Sequence, residues 1–182
     1  MDENKLVKYD NKAIVKVGGI LSTTEKLLAL TIDKSILPPR KPMILVVDDE
    51  KATRDALEEI LTSEGYNVMS AIDGLEACNL LNQFDGTIDL ICTGLKMPKM
   101  DGFELIEKLP SIINHAISLL VFSGIADIHL KFFNTEIENN ERIIKVGIIS
   151  KGSSRTILIE LLNSIKIGVE LVKIRRKELG QL

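Results

Sequence analysis

The sequence lacks several features that would assign it to a specialised class. Two cysteines, Cys78 and Cys92, are too few for a disulfide framework and match no zinc-binding spacing, so we expect the reducing cytoplasm as compartment. No apolar run is long enough to cross a membrane, and the opening MDENK has no basic stretch typical of a signal peptide. A formal net charge of -3 gives no whole-chain attraction to nucleic acid. We therefore expect a cytoplasmic globular protein with neither membrane nor nucleic acid as partner.

Residues 1–41 are predicted to form a separate appendage. With 182 residues, 45% hydrophobic and 27% charged, the chain has room for one globular domain and an additional segment. Apolar residues from Ala13 to Ile20 stand at near-helical spacing, and Ser22 and Glu25 are placed as a capping box for a second short helix. The run ILPPRKP then stops any helix. We expect a helical appendage with a proline-rich linker, serving as a docking peptide, as a self-association helix or as a segment that packs on its own domain.

From Met43 onward, apolar runs of strand length alternate with helical patterns, which predicts parallel βαβ units. The run MILVV is too short for a buried helix and is typical of a strand buried on both faces. Five strands and five helices predict an α/β fold with a doubly wound, parallel, five-stranded sheet. The predicted strands cover residues 43–47, 67–71, 88–93, 117–122 and 143–149, and the predicted helices cover 52–63, 75–84, 103–109, 127–138 and 154 to beyond 175.

Asp48 and Asp49 follow the first predicted strand of this series directly. In open α/β sheets, ligands bind beyond the carboxyl ends of the strands, and a pair of carboxylates there suits a hard cation such as Mg²⁺. The alternative is that one of the two caps the helix that begins near Lys51, because aspartate is a favoured N-cap. The pair alone leaves both interpretations open.

Four blocks of sequence resemble the receiver domain of bacterial two-component response regulators. They are ILVVDDE, DLICTGLKMPKMDGFEL, LLVFSG and Lys151 after the fifth predicted strand, and the second block is the most specific. The resemblance covers residues 42–165, so we expect an appendage over 1–41, a receiver-like domain over 42–165 and an extension of the last helix over 166–182. It also implies the flavodoxin-like strand order 2-1-3-4-5.

The resemblance further implies a phosphorylation site at the carboxyl edge of the sheet. In this family an acidic pair holds Mg²⁺, an aspartate at the end of the third strand accepts a phosphoryl group, and a hydroxyl and a lysine then hold that group. The matching positions are Asp48 and Asp49 for the metal, Ser123 for the hydroxyl and Lys151 for the lysine. The acceptor position is Gly94, which has no side chain, whereas an acyl phosphate requires a carboxylate. We therefore predict a module that is neither phosphorylated there nor an enzyme.

No neighbouring group is expected to replace the missing acceptor. Asp89 opens the same strand, and at ~3.3 Å per residue it lies roughly 17 Å from position 94. Thr93 is adjacent, but successive strand residues point to opposite faces. Asp101 is expected to cap the helix that starts near Gly102.

Two further positions depart from the family pattern. Ile148 stands where receivers usually carry an aromatic residue that rotates between states, and Gly152 stands where a proline usually follows the lysine. Without a carboxylate at position 94, Lys151 should pair with Asp48 or Asp49 and compete with Mg²⁺ for the same oxygens. We therefore expect weak Mg²⁺ binding at most.

The leading hypothesis is a receiver-like signalling module, a pseudo-receiver of a two-component phosphorelay that acts by protein–protein interaction. Its partner would be a signalling protein or another component of a histidine-kinase pathway. One alternative is a conventional phospho-receiver with a non-standard acceptor. Another is a small Mg²⁺-dependent phosphohydrolase, which is disfavoured because neither His115 nor His129 has an identifiable partner near the acidic pair.

The last helix carries an apolar stripe that continues beyond the length expected for contact with the sheet. This surplus predicts a partner surface, with a homodimer as one candidate. Basic residues at the end of the helix are expected to complement the negative end of its dipole, in preference to binding nucleic acid. The stripe consists of Leu158, Leu161, Ile165, Val169 and Val172, and the basic residues are Lys173, Arg175, Arg176 and Lys177.

Overall fold

The computed structural model describes residues 6–9, 13–16, 40–84, 86–124, 140–152 and 154–181. The chain divides into two compact units, Met1–Arg40 and Lys41–Leu182. Among the helices within the described ranges, none combines the length and the apolar composition that crossing a bilayer requires.

The described part of the first unit is a pair of short strands. β1 (Leu6–Tyr9) runs antiparallel to β2 (Ala13–Lys16), with Leu6 opposite Lys16. The helix predicted from the spacing that begins at Ala13 is therefore wrong for residues 13–16. Ile14 and Val15 are β-branched and favour a strand there. The second helix predicted in the appendage, from residue 22, lies outside the described residues.

The second unit contains a parallel sheet of five strands. In the order β4-β3-β5-β6-β7 the first strand of the unit lies between the second and the third, which confirms the predicted order 2-1-3-4-5. β3, β5 and β6 were readable from the sequence because they are almost entirely buried and mostly apolar. The strands are β3 (Met43–Val47), β4 (Asn67–Ala71), β5 (Ile88–Thr93), β6 (Ile117–Ser123) and β7 (Ile143–Ser150).

Helices cover both faces of this sheet, as a doubly wound fold requires. α2 (Gly74–Gln83) and α3 (Gly102–Ile112) pack on one face, and α1 (Lys51–Ser63) and α4 (Arg155–Glu178) pack on the other. These four helices begin and end within three residues of their predicted bounds. The fifth predicted helix, over residues 127–138, lies outside the described residues.

The last helix contacts the sheet much further along than predicted. Val169 and Val172 are buried, and the Ser118 hydroxyl donates to the Gly168 carbonyl over 2.7 Å. Beyond residue 165, the predicted end of the receiver-like domain, the buried residues of the helix still pack against the sheet, whereas Ile167, Leu171 and Ile174 are exposed. The apolar stripe is therefore not surplus. The apolar side chains that α4 does expose are Ile159, Ile167, Leu171 and Ile174.

Arg176 does not serve as a solvent-exposed complement to the helix dipole. It is buried, and its guanidinium donates to the Asp89 carboxylate and to the carbonyls of Gly86, Ile88 and Ala116. The interpretation of the basic helix end is therefore wrong for this residue, which fastens the helix to the amino edge of the sheet. Lys173 and Arg175 pair instead with glutamates of their own helix.

Candidate functional site

Parallel pairing brings the ends of four strands to one edge of the sheet. Val47 lies opposite Thr93, and Ser123 lies opposite Ser150. Asp48 and Gly94, which follow β3 and β5, therefore meet Ser123 and Lys151 at the carboxyl edge. The sequence predicted this assembly, since the carboxyl ends of parallel strands lie together.

Asp48 is the central acid of this edge. It is 2% exposed, and its Oδ1 accepts the main-chain N–H of Glu50 over 3.1 Å. Its Oδ2 lies 2.5 Å from Lys151 Nζ, which confirms that the lysine pairs with one member of the acidic pair. Asp49 is exposed. Neither aspartate caps α1, whose N-cap is Glu50 without a side-chain capping bond, so the capping alternative is wrong.

Lys151 is held in place by its main chain. Its N–H donates to the Ser123 carbonyl over 2.9 Å, which joins the end of β6 to the start of the loop after β7. The next residue, Gly152, is exposed, and a Cβ there would lie 2.5 Å from Ile157 Cδ1, the end of a flexible side chain. The lysine therefore enters the site from an anchored backbone.

Gly94 faces the ion pair directly. Its N–H donates to the Val47 carbonyl over 2.8 Å, and a Cβ built on it would lie 3.1 Å from Asp48 Oδ2. A side chain at this position would thus point at Asp48 and toward Lys151. Position 94 therefore faces these two charged groups, and its glycine contributes no side-chain atom.

The three polar residues considered as substitutes are all engaged elsewhere. The Thr93 hydroxyl donates to the Gly94 carbonyl over 2.8 Å. Asp101 caps α3 in a reciprocal capping box with Glu104, as predicted. Asp89 pairs with Arg176 at the opposite edge of the sheet. None of the three presents a nucleophile to the site.

The residues present do not fit the Mg²⁺ that the family resemblance implies. One carboxylate oxygen of Asp48 accepts a main-chain hydrogen bond, and the other pairs with the Lys151 ammonium. The main-chain carbonyls of Asp48 and Asp49 accept hydrogen bonds from the Arg54 guanidinium over 2.7 and 3.0 Å. Gly94 offers no side-chain oxygen. Across the part of the chain that the structure describes, no three acidic, histidine or cysteine side chains group as a metal site.

The two remaining predicted positions flank the site. Ser123 is buried at the end of β6. Ile148 lies opposite Val121 in the sheet and packs, half-buried, against the core shared with α2 and α3. An aliphatic side chain in this place is part of the packing.

A second buried aspartate beside the site was not predicted. Asp73 caps α2 by accepting the Glu76 N–H over 2.9 Å, and Lys99 Nζ lies 3.0 Å from its Oδ2. The Glu76 N–H, followed by the Lys99 ammonium, holds the pKa of Asp73 below its ordinary value, against the opposing effect of burial. Lys99 has a left-handed backbone with φ of 59°. The pattern Asp73-Gly-Leu-Glu76 is an N-terminal helix signature that would have indicated the cap.

An open cavity of about 610 Å³ adjoins the site between α1 and α4. Its mouth includes Glu50 and Lys151. Its walls are mainly apolar and include Ala56, Leu57, Ile60, Ile157, Leu158 and Leu161.

Comparison with known proteins identifies similar sequences and folds. A family model described as response regulator receiver domain matches residues 44–163. The chain is 34% identical over 94 residues to the probable transcriptional regulator ycf29 of Porphyra purpurea, covering 50% of this chain and 44% of the relative. It is 37% identical over 79 residues to the aerobic respiration control protein ArcA of Escherichia coli K12, covering 43% of this chain and 32% of the relative. The chain thus spans less than half the length of these curated relatives.

Solved structures show the same fold. The signal receiver domain of an HD domain-containing protein from Pseudomonas fluorescens Pf-5 matches with a TM-score of 0.56 and 26% identity, over 74% of this chain and 98% of that one. The receiver domain of the hybrid histidine kinase CckA matches with a TM-score of 0.52 and 27% identity, over 70% of this chain and 98% of that one.

Proposed function

This chain belongs to the response regulator receiver domain family, and from that membership we propose that it is a two-component signalling module that acts by protein interaction without being phosphorylated itself. Receiver domains interact with histidine kinases and other signalling proteins. The proposed partner is accordingly a protein of a histidine-kinase pathway, and the proposed compartment is the cytoplasm, where the two buried free thiols would stay reduced.

The observation that carries the proposal is the placement of Gly94, where a side chain would project toward Asp48. An acyl phosphate forms only on a carboxylate that attacks the phosphoryl donor. A Cβ at position 94 would point at Asp48 Oδ2 from 3.1 Å, so a side chain there would reach the charged groups of the site. Glycine supplies no side-chain carboxylate, so an acyl phosphate cannot form at this position.

The groups that would respond to a phosphoryl group also support the proposal. Lys151, which would hold that group, is already paired with Asp48 over 2.5 Å. The position of the rotating aromatic residue is Ile148, which packs against the core. Gly152 stands where receivers usually carry a proline. A site of this kind is expected to keep one conformation.

The outer face of α4 is the part of the molecule that we propose for partner binding, including the binding of a second copy. Ile167, Leu171 and Ile174 are exposed and recur at helical spacing on this face. Exposed apolar side chains on one face of a helix are the groups that another protein could cover. Substituting Leu171 by glutamate should weaken association with the partner or with itself, as measured by analytical ultracentrifugation or by a binding titration.

Incubation with acetyl phosphate and Mg²⁺, followed by intact-mass measurement, tests the proposal. We expect no phosphoryl adduct on the native chain and an acid-labile adduct on Gly94→Asp. Gly94→Asn is the matched control, because it has the same shape without a nucleophilic carboxylate, and it should stay unmodified. An adduct on the native chain would contradict the proposal, and peptide mapping would then locate the non-standard acceptor.

A further inference from the structure

The carboxylate of Asp48 is satisfied entirely from within the protein. Oδ1 accepts the Glu50 N–H over 3.1 Å, and Oδ2 lies 2.5 Å from Lys151 Nζ. Because Asp48 is almost completely buried, its charge requires a partner in the folded state. The Lys151 ammonium is the cation that meets this requirement.

The main-chain oxygens of the acidic pair are already engaged. The carbonyls of Asp48 and Asp49 accept from Arg54, and Gly94 contributes no side-chain oxygen. Mg²⁺ needs near-octahedral oxygen coordination and loses its water reluctantly. A divalent ion would therefore have to displace Lys151 and gain only the exposed carboxylate of Asp49 in addition.

Displacement is opposed by the way Lys151 is tethered. The hydrogen bond from its N–H to the Ser123 carbonyl holds its backbone at the end of β6. A tethered group competes at a high effective concentration, because its binding is intramolecular. A dissolved ion competes only at its concentration in solution.

We infer that Lys151 is the resident cation of this site, and that its ammonium takes the place of a divalent ion so that the domain keeps its signalling conformation without metal. The inference rests on the proposed function, since it explains how the site holds one state without a phosphoryl group. The inference concerns only metal binding, and the experiment that tests it contains no phosphoryl donor.

Titration with Mn²⁺, followed by the electron paramagnetic resonance signal of the free ion, measures the affinity directly. We expect no saturable binding to the native chain up to about 5 mM Mn²⁺. Lys151→Met exposes the oxygens of Asp48 and should bind at least about tenfold more tightly than the native chain. Adding Asp48→Asn to that variant should abolish the gain.

Lys99→Met is the matched control. It removes the same charge from beside another buried aspartate, Asp73, and should bind Mn²⁺ no better than the native chain. Saturable binding by the native chain below about 5 mM would overturn the inference, as would equal affinities for Lys151→Met and Lys99→Met. Lys151→Gln repeats the test with a side chain that keeps hydrogen-bonding groups. If neither variant folds, the titration of the native chain still tests the inference. A phosphoryl adduct on the native chain would overturn the proposed function and leave this metal result in place.

Discussion

Arg176, near the end of α4, and Asp89, in β5, form a buried ion pair at the edge of the sheet opposite the candidate site. Their NH1 and Oδ1 atoms are 3.0 Å apart, and their side chains are 3% and 5% exposed. The other carboxylate oxygen of Asp89 accepts the N–H of Met43 over 2.8 Å. The pair therefore joins the first strand of the sheet, its central strand and its last helix.

Replacing Arg176 by methionine should lower the free energy of unfolding by about 3–5 kcal/mol, because it leaves a buried carboxylate without its counter-charge. Urea unfolding measures the change. The neighbouring Arg175→Met is the control, since Arg175 makes only a surface pair with Glu178 and its loss should alter stability by no more than about 0.5 kcal/mol. Equal effects of the two substitutions would show that the buried pair contributes little.

Gly168→Ala should destabilise the fold although alanine is the better helix former. A Cβ on Gly168 would lie 2.7 Å from Leu90 Cδ1 and 2.8 Å from Val146 Cγ2. We expect a net loss of about 1–2 kcal/mol, since overpacking exceeds the gain in helix propensity. Gly147→Ala, where nothing lies within 4 Å of the added carbon, should leave the urea midpoint unchanged or raise it. A stabilised Gly168→Ala would mean that α4 does not press against the sheet.

Asp73 should make stability depend on pH in the acid range. Its pKa lies below the ordinary value of 3.8, chiefly because the Glu76 N–H donates to the carboxylate. The unfolded chain therefore binds the proton more tightly, so ionised Asp73 stabilises the fold above the ordinary pKa and this contribution is lost as the pH falls through the folded pKa. Asp73→Ser keeps an N-cap without an ionisable group. Between about pH 5 and about pH 2, the native chain should lose more unfolding free energy than this variant, and parallel losses would refute the assignment.

The two thiols should be unreactive in the folded protein. Burial, with the Asp48 carboxylate adding to it, raises the pKa of Cys92 to about 12, and burial also raises the pKa of Cys78. Because the thiolate is the reactive form, alkylation by iodoacetamide at mildly basic pH should proceed only as fast as the protein unfolds. Peptide mass mapping distinguishes the two sites, and urea-unfolded protein serves as the reactive reference. Rapid native labelling of Cys92 would show that the edge beneath Asp48 opens.

The sheet could be predicted from the sequence because each strand carries its own signal. The bounds of residues 67–71 and 88–93 agree with the structure, and the second of these strands ends where Thr93 and Gly94 close an apolar run. The set Asp48, Gly94, Ser123 and Lys151 was implied by the resemblance to receiver domains, and parallel pairing explains why these positions meet at one edge of the sheet.

What the sequence did not reveal depends on contacts between distant segments. Arg176 looks like any basic residue at a helix end, and its partner Asp89 lies 87 positions earlier. The available signal was Asp89 itself, a charge inside an otherwise apolar strand that must find a partner. The helix predicted from Ala13 was wrong over residues 13–16 for another reason. Four residues are too few for a helical period to be distinguished from a strand.

The hydrogen bond from Met43 to Asp89 and the pair between Asp89 and Arg176 also set an order of events during synthesis. Arg176 leaves the ribosome 87 residues after Asp89, a delay of roughly 4–17 s at about 5–20 residues per second. During that interval the nascent chain carries a carboxylate whose counter-ion has not yet been made. The amino edge of the sheet is therefore completed only once Arg176 has been made, after Asp48 and Lys151 of the opposite edge are already present.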